Sequence, residues 1–220
     1  MQKFKQYISE GTKGLTIFDI DDTMFKTKAR VQVKKDGKVI KVLPPKQFNT
    51  YTLGKGETYD FGQFKSADLF NKTALPIGRM IQKFKAILKN AVKKGSDVVI
   101  VTARADMDDK ELFLNTFRSH GIDIDKAHIH RAGNIGGSSA SAKEQVFRKF
   151  LDTGDYKRIR LFDDDTSNLK ALLNLQSDYN DVDFEAWKAD DKGRIIESAD
   201  GAKYLEITGG RKHDFINFVH

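Results

Sequence analysis

The sequence predicts an α/β protein in which a parallel sheet is covered by helices on both faces. Short apolar runs at 15–18, 98–101 and 159–162 are typical of buried strands. Segments with apolar residues at helical spacing separate or follow these runs, among them 77–91 after the first run and 166–176 after the third. Strands that alternate with helices along a chain indicate parallel pairing and a sheet that is buried on both faces.

The composition is that of a globular protein with a sizeable core. Of 220 residues, 39% are hydrophobic and 31% are charged, and this length fits one domain, or one domain with a sizeable insertion. The absence of cysteine excludes thiol catalysis, disulfides and cysteine-ligated zinc. No run approaches the roughly 20 apolar residues that span a bilayer. Residues 1–6 lack the apolar core of a signal peptide, so we expect a cytoplasmic protein without a membrane partner.

Four further elements complete the predicted core. They are helices at 108–120 and 141–151 and strands at 127–130 and 182–187. Ser141 and Glu144 have the spacing of a capping box, which places the start of the third helix at Ser141. Lys143 then lies within the first helical turn, where the helix dipole disfavours a cation. Such a lysine is either an accident on a solvated face or a phosphate ligand.

Residues 24–75 have a different pattern and are predicted to form an inserted cap. Strand-like runs at 31–33 and 38–42 flank Asp36-Gly37, which is a strong β-hairpin signal. Glycines and aromatic residues follow this hairpin. The predicted division of the chain is therefore a core of residues 1–23 and 76–220 and a cap of residues 24–75.

The net charge of +7 is concentrated in this cap. Residues 26–55 contain nine basic residues and a single acidic residue, Asp36, which gives that segment a charge of +8. The nine are Lys26, Lys28, Arg30, Lys34, Lys35, Lys38, Lys41, Lys46 and Lys55. The segment is either a solvated surface or an electropositive lid over a polyanionic substrate, and charge alone leaves both open. In the second case Lys34, Lys35 and Lys38 are candidate substrate ligands.

Acidic residues follow two of the predicted buried strands. Asp19, Asp21 and Asp22 come directly after the first strand, and an Asp163-Asp164-Asp165 run follows the strand at 159–162. An aspartate before a helix is often only an N-cap, and acidic runs are common in loops. Clustered carboxylates nevertheless repel one another, and Mg²⁺ prefers such oxygen ligands. Because carboxyl ends of parallel strands meet at one edge, the two clusters favour a shared metal.

A possible phosphate-binding turn follows the second predicted strand. Thr102, Ala103 and Arg104 stand where that strand ends. The threonine hydroxyl and free backbone N–H groups at such a position can hold a phosphate. A threonine that closes a local turn is the alternative, and it is frequent.

The four sites together resemble the haloacid dehalogenase (HAD) superfamily. Asp19-x-Asp21-x-Thr23 matches its first motif, Thr102 its second, Lys143 its third and Asp163-Asp164-x-x-x-Asn168 its fourth. The motifs occur in the family's order, and the likeness covers residues from about 14 to 190. The resemblance implies a Rossmann-like HAD fold with an inserted cap.

The resemblance also implies a role for each residue. Asp19 is expected to attack phosphorus and form an aspartyl-phosphate, and Asp21 to act as general acid and then general base. Mg²⁺ is expected to be held by Asp19, by Asp21 through its backbone carbonyl, and by Asp164. Thr102 and Lys143 are expected to bind the phosphoryl oxygens. Thr23, Ala103 and Arg104 stand beside these motif residues as candidate substrate contacts.

Two families of phosphatase compete as the nearer likeness. Residues 98–104, Lys143, Asp163-Asp164 and Trp187 resemble the phosphatase domain of phage polynucleotide kinase-phosphatases, which remove 3′-phosphates from nucleic-acid ends. The implied substrate is then a phosphomonoester at a nucleic-acid end, which suits the basic cap. The sequence lacks the P-loop of the kinase domain, and the hairpin has no counterpart that we recognise in that family.

The rival likeness is to class B acid phosphatases, which share Phe-Asp-Ile-Asp-Asp-Thr and act broadly on small phosphomonoesters in the periplasm. The missing signal peptide counts against an exported enzyme of that kind. A further alternative is a degenerate HAD protein that binds nucleic acid without turnover. The intact Asp19, Asp21, Lys143 and Asp164 argue against it.

Overall fold

The computed structural model of the chain describes residues 13–48 and 50–195. The strands are β1 (Gly14–Phe18), β2 (Phe25–Lys26), β3 (Val31–Lys35), β4 (Lys38–Leu43), β5 (Glu57–Asp60), β6 (Leu75–Pro76), β7 (Asp97–Thr102), β8 (His128–Arg131), β9 (Arg158–Asp163) and β10 (Asp183–Lys188). The α-helices are α1 (Pro45–Phe48), α2 (Gly62–Lys65), α3 (Ala67–Thr73), α4 (Gly78–Lys94), α5 (Lys110–Ser119), α6 (Ser139–Leu151) and α7 (Thr166–Asn174). Short 3₁₀ helices occupy Ile124–Lys126, Ala132–Asn134 and Leu175–Ser177.

Five strands form the main sheet in the order β10-β9-β1-β7-β8, and all neighbours are parallel. The central strand β1 places Phe18 opposite Ile100 of β7 and Phe162 of β9. The predicted α/β architecture, a parallel sheet with helices on both faces, is confirmed. Predicted strands and helices of the core lie within a few residues of the observed ones.

Successive side chains of β1 point to opposite faces of the sheet and pack in two separate apolar clusters. Ile17 packs in a cluster with residues of α6 and α7, such as Phe147. Phe18 points to the other face, where its ring stacks on Phe162 at 4.7 Å and meets Phe84 of α4 edge-on at 5.0 Å. Each face of the sheet is thus covered by helices, which explains why its strands are continuous apolar runs.

The longest helix, α4, follows its apolar spacing. Met80, Ile81, Phe84, Leu88 and Ala91 are buried on one face. The helix ends at Gly95, whose φ of 68° is the left-handed conformation that glycine adopts without steric cost. Among the described residues, no helix has both the length and the apolar character that crossing a membrane requires.

The start of α6 differs from the prediction. The helix begins at Ser139, and Ser138 is its N-cap, accepting a hydrogen bond from the Ser141 backbone N–H at 3.2 Å. Glu144 binds Arg148 at 3.0 Å instead of closing a capping box. The predicted start at Ser141 is therefore wrong, and Lys143 lies in the second turn, where the helix dipole disfavours a cation less.

The predicted hairpin is confirmed as β3 and β4, and it belongs to a three-stranded antiparallel sheet. Asp36 and Gly37 form its turn with φ values of 50° and 75°. Strand β5 pairs with the other edge of β3, which gives the order β4-β3-β5. Sequence inspection missed β5, because Glu57–Asp60 alternates no apolar residues that would mark a strand.

The two ends of the predicted cap segment pack with the core. Strand β2 pairs with β6, and Phe25 and Phe70 lie in the same apolar cluster as Phe84 and Phe117. The three-stranded sheet has a cluster of its own, which is built on Val31, Val33 and Leu43. We use "cap" below for residues 27–66. Parts of the predicted core, residues 1–12 and 196–220, lie outside the described residues.

Candidate active site

The predicted site residues meet at the carboxyl edge of the main sheet. Asp19 directly follows β1, Thr102 is the last residue of β7, and Asp163 is the last residue of β9. These three strands are adjacent in the sheet, so their ends converge. The acidic motifs, which are about 140 residues apart in sequence, thereby form one cluster.

A buried lysine joins the two acidic motifs. Lys143 extends from α6, and its ammonium donates to Asp19 Oδ1 at 2.7 Å and to Asp163 Oδ2 at 2.8 Å. The Lys143 residue is 1% exposed, and Asp163 is 0% exposed. Charges buried this deeply are tolerated only when they are paired and hydrogen-bonded.

Asp163 is fully engaged by protein donors. Besides Lys143, it accepts hydrogen bonds from Asn168 Nδ2 at 3.0 and 3.1 Å and from the Asp165 backbone N–H at 2.9 Å. A carboxylate offers about four acceptor sites, and these donors use them. Asp163 therefore positions Lys143 and has little capacity left for a metal ion.

Asp19, Asp163 and Asp164 offer carboxylate oxygens that lie within 4.8 Å of one another. Within the described residues, Asp164 has one side-chain hydrogen bond, in which its Oδ1 accepts from the Thr23 hydroxyl at 3.3 Å. Since Asp163 is saturated, Asp19 and Asp164 are the carboxylates of this group that fit a metal ion. Asp21 is not a member of the group by its side chain.

The electrostatics of the group favour an added cation. Burial, reinforced by the Asp163 and Asp22 carboxylates, raises the pKa of Asp164 to about 7. Burial also raises the pKa of Asp19 well above its ordinary value, and Lys143 opposes this shift. Three carboxylates share one ammonium, so a divalent ion would stabilise their charged forms.

Asp21 is held between the core and the cap. The buried Arg104 donates from Nε and Nη2 to the two Asp21 oxygens at 2.8 and 2.7 Å. Its Nη1 donates to the backbone carbonyl of Phe64 in α2 at 3.0 Å. The Thr27 hydroxyl also donates to Asp21 Oδ1, at 2.7 Å. Arg104 thus links the loop after β7 to both a candidate catalytic residue and the cap.

The remaining predicted phosphate contacts divide between the interior and the cleft. Thr102 is 1% exposed, and its Oγ1 accepts from the Arg104 backbone N–H at 3.2 Å. Ala103 is exposed and lines the cleft above Asp19, whereas Thr23 is buried beneath Asp164.

Gly133 shapes this turn, and sequence inspection missed it. Its backbone N–H donates to the Arg104 carbonyl at 3.2 Å, and a Cβ at this position would lie 2.3 Å from the Ala103 carbonyl oxygen. Only a glycine lets the loop after β8 approach the loop after β7 so closely. A glycine after a predicted strand is the only signal that the sequence offered.

A cleft of about 1220 Å³ lies between the core and the cap. Asp19, Asp164 and Lys143 are among the core residues that line it. Of the three predicted cap ligands, Lys34 lines the cleft and its ammonium pairs with Asp60. Lys35 and Lys38 are exposed and are not among the residues that line it. The structure therefore brings one of the three hairpin lysines to the cleft.

No family model matches the chain, and no curated protein matches it. Among solved structures, the chain is similar to the HAD domain of the effector protein Lem4 from Legionella pneumophila, with 12% identity over 93% of this chain and 98% of that chain and a TM-score of 0.43. An inactive mutant of the same domain gives 11% identity over 95% of this chain and 100% of that chain, with a TM-score of 0.45. Similarities this weak do not indicate a function for this chain.

Replacing Lys143 by Met should destabilise the protein strongly. Removing one partner of a buried ion pair leaves an uncompensated charge and costs about 3–5 kcal/mol. Because Lys143 lowers the raised pKa of Asp19, its loss raises that pKa further. An acid whose folded-state pKa lies above its unfolded value destabilises the fold as pH rises, so the loss should be smaller at pH 5 than at pH 8.

Urea unfolding at both pH values measures this effect. Lys149→Met, at an exposed position of the same helix, is the control and should change stability by less than about 0.5 kcal/mol. A Lys143→Met variant as stable as the parent at pH 8 would show that the buried charges are not coupled as described.

Proposed function

We propose that the chain is a magnesium-dependent phosphomonoesterase of the HAD type that works through an aspartyl-phosphate on Asp19. The observation that carries this proposal is the Asp19 carboxylate itself. It lines the cleft while a buried ammonium, that of Lys143, binds one of its oxygens. A carboxylate fixed at the end of a central strand, beside a cation that attracts phosphate, is suited to nucleophilic attack.

The position of Lys143 suits it both to orient the Asp19 carboxylate and to attract the phosphate. Its ammonium binds Asp19 Oδ1, and no described residue donates a hydrogen bond to Oδ2. Oδ2 is therefore the oxygen that we assign as nucleophile. The ammonium weakens the repulsion between the anionic carboxylate and the anionic phosphate, and the metal would weaken it further.

The proposed reaction has two displacements at phosphorus. In the first, the bond from Asp19 to phosphorus forms, the bond to the leaving oxygen breaks, and that oxygen takes a proton from Asp21. In the second, water attacks phosphorus and gives its proton to the Asp21 carboxylate. The bond to Asp19 then breaks and inorganic phosphate leaves, which returns both carboxyl groups to their starting forms.

The donor set fits Mg²⁺. Asp19 and Asp164 would hold the ion through carboxylate oxygens, together with the backbone carbonyl of Asp21. When bound, Mg²⁺ would neutralise charge on the phosphoryl oxygens. Hard oxygen ligands from one or two carboxylates, with open positions for water and phosphate, are what this ion prefers.

The proposed role of Asp21 requires a rearrangement of its contacts. Both of its oxygens accept hydrogen bonds from Arg104 in the structure. To pass a proton to the leaving oxygen, the carboxyl must release at least one of these contacts. Since Arg104 also binds the Phe64 carbonyl, a movement of the cap could release it.

The substrate predicted from the sequence is a phosphate at a nucleic-acid end, and the charge of residues 26–55 supports it. A broad small-molecule phosphatase is the second candidate, and the placement of Lys35 and Lys38 outside the cleft favours it. A binding protein without turnover is disfavoured, because Asp19, Asp164 and Lys143 retain a costly charged cluster.

Asp19→Asn should lower kcat on p-nitrophenyl phosphate at least about a thousandfold, because the amide cannot form the intermediate. The variant should fold, since the substitution keeps the side chain's shape and Lys143 still pairs with Asp163. Initial rates with Mg²⁺ at saturating substrate measure the loss. Asp155→Asn, which removes the same charge at an exposed position outside the cleft, is the matched control. Turnover within tenfold of the parent in Asp19→Asn would exclude Asp19 as nucleophile.

Activity should require Mg²⁺, be lost in excess chelator and be inhibited by Ca²⁺. Calcium takes more oxygen ligands at longer distances, so it would engage both oxygens of Asp19 and hinder attack. Thermal denaturation provides a second readout, in which Mg²⁺ should raise the Tm of the parent but not that of Asp164→Asn. Full activity after removal of divalent ions would contradict the metal site.

A further inference from the structure

We infer that the cap wall of the cleft binds a planar aromatic group next to the phosphate, so that aryl and nucleoside monophosphates are preferred over nucleic-acid strands. The inference rests on the proposed phosphomonoesterase activity and decides between its two candidate substrates in favour of the small molecule, because it concerns the leaving group of the same reaction. Two independent observations carry it: a cluster of aromatic rings that lines the cleft, with the Phe61 ring exposed, and the balance of formal charge around it.

Three rings of the cap form one wall of the cleft. Phe61 lies 5.7 Å from Phe48 and 6.0 Å from Tyr59, and Phe48 and Tyr59 are 5.1 Å apart. All three line the cleft, and Phe61 is 45% exposed. The Tyr59 hydroxyl donates to the backbone carbonyl of Tyr51, which fixes its ring. The wall is therefore built before any ligand arrives, which lowers the entropic cost of binding.

The chemistry of the wall selects a flat ring. Aromatic side chains stack on planar rings, and this contact is tolerant of base identity because each base has a π-face. Glycerol has no ring and therefore gains little from three phenyl-type rings. A ring attached to a phosphate could thus bind the wall while the phosphate meets Asp19 and Lys143 across the same cleft.

The formal charges around the cleft suit one phosphate and not a chain of them. Five cationic side chains line it: Arg30, Lys34, Lys65, Arg104 and Lys143. Six carboxylates line it: Asp19, Asp21, Asp22, Asp60, Asp164 and Asp165. The described lining has a net formal charge of −1, and one Mg²⁺ would bring it to +1. A nucleic-acid strand would need a cation for each further phosphate that it places there.

Several of these cations are already paired. Lys34 binds Asp60, Arg104 binds Asp21, and Lys143 binds Asp19. The excess positive charge of the cap lies on residues such as Lys35 and Lys38, outside the cleft lining. A leaving group that is aromatic and carries no further phosphate fits both the wall and this charge balance.

The test compares the ratio of kcat/KM for phenyl phosphate to that for glycerol phosphate between the parent and Phe61 variants. Phenol is the better leaving group in any case, so only a change in this ratio reports on the ring contact. In the parent, kcat/KM should favour phenyl phosphate, and Phe61→Ala should lower the ratio of the two values about tenfold. Phe61→Leu, which keeps an apolar side chain but removes the ring, should lower the ratio similarly. Ile40→Ala is the matched control, because Ile40 is a cap residue of similar exposure, 50%, that does not line the cleft.

A nucleoside 3′-monophosphate and a 3′-phosphorylated oligonucleotide extend the comparison. The mononucleotide should give the higher kcat/KM, and raising the salt concentration should not change this order. Hydrolysis of phenyl and glycerol phosphates with a ratio that Phe61→Ala leaves unchanged would overturn the inference and leave the proposed function standing. A preference for the oligonucleotide that falls steeply with salt would also overturn it. No hydrolysis of any of these compounds by the parent with Mg²⁺ would overturn the proposed function itself.

Discussion

The buried ammonium of Lys143, held between Asp19 and Asp163, is the interaction on which the rest of the site depends. A lone ammonium in this position would be costly, and so would either carboxylate. The cluster is stable only if β1, β9 and α6 meet with their charged groups in register. The saturation of Asp163 by Asn168 and the Asp165 backbone fixes the lysine, and the lysine in turn fixes one oxygen of Asp19. The folded core thereby presents a defined carboxylate oxygen at the base of the cleft.

The cap is coupled to this core through Arg104. Its guanidinium binds Asp21 on one side and the Phe64 carbonyl on the other, and its plane lies near the Phe64 and Phe70 rings at 5.2 and 4.8 Å. The Arg104 side chain therefore both holds Asp21, the candidate proton donor, in place and contacts the cap. The close approach of Gly133 to the backbone of residues 103–105 fixes the position of the Arg104 backbone, from which the side chain extends. In the proposed mechanism, proton transfer by Asp21 would therefore depend on a side chain that also contacts the cap.

Much of this structure followed from local sequence signals. The apolar run before Asp19 and that before Asp163 predict adjacent buried strands, and parallel pairing then brings their acids together. Asp36-Gly37 fixed the hairpin because its turn requires positive φ at both positions. The start of α6 was misplaced because Ser138 and Ser141 are both plausible caps, and only the path of the preceding chain decides between them. The orientation of the cap lysines could not be predicted from the sequence, because a count of charges does not show which side chains are paired or face the cleft.

In the proposed reaction, Asp19 becomes phosphorylated during turnover. The most direct test is to quench the enzyme with acid within the first turnover of a phosphomonoester and map the phosphorylated peptide by mass spectrometry. We expect an acyl phosphate, removed by hydroxylamine, on the peptide that contains Asp19. Substrate hydrolysis that proceeds with no phosphorylated peptide at Asp19, or with the phosphoryl group on another residue, would contradict it.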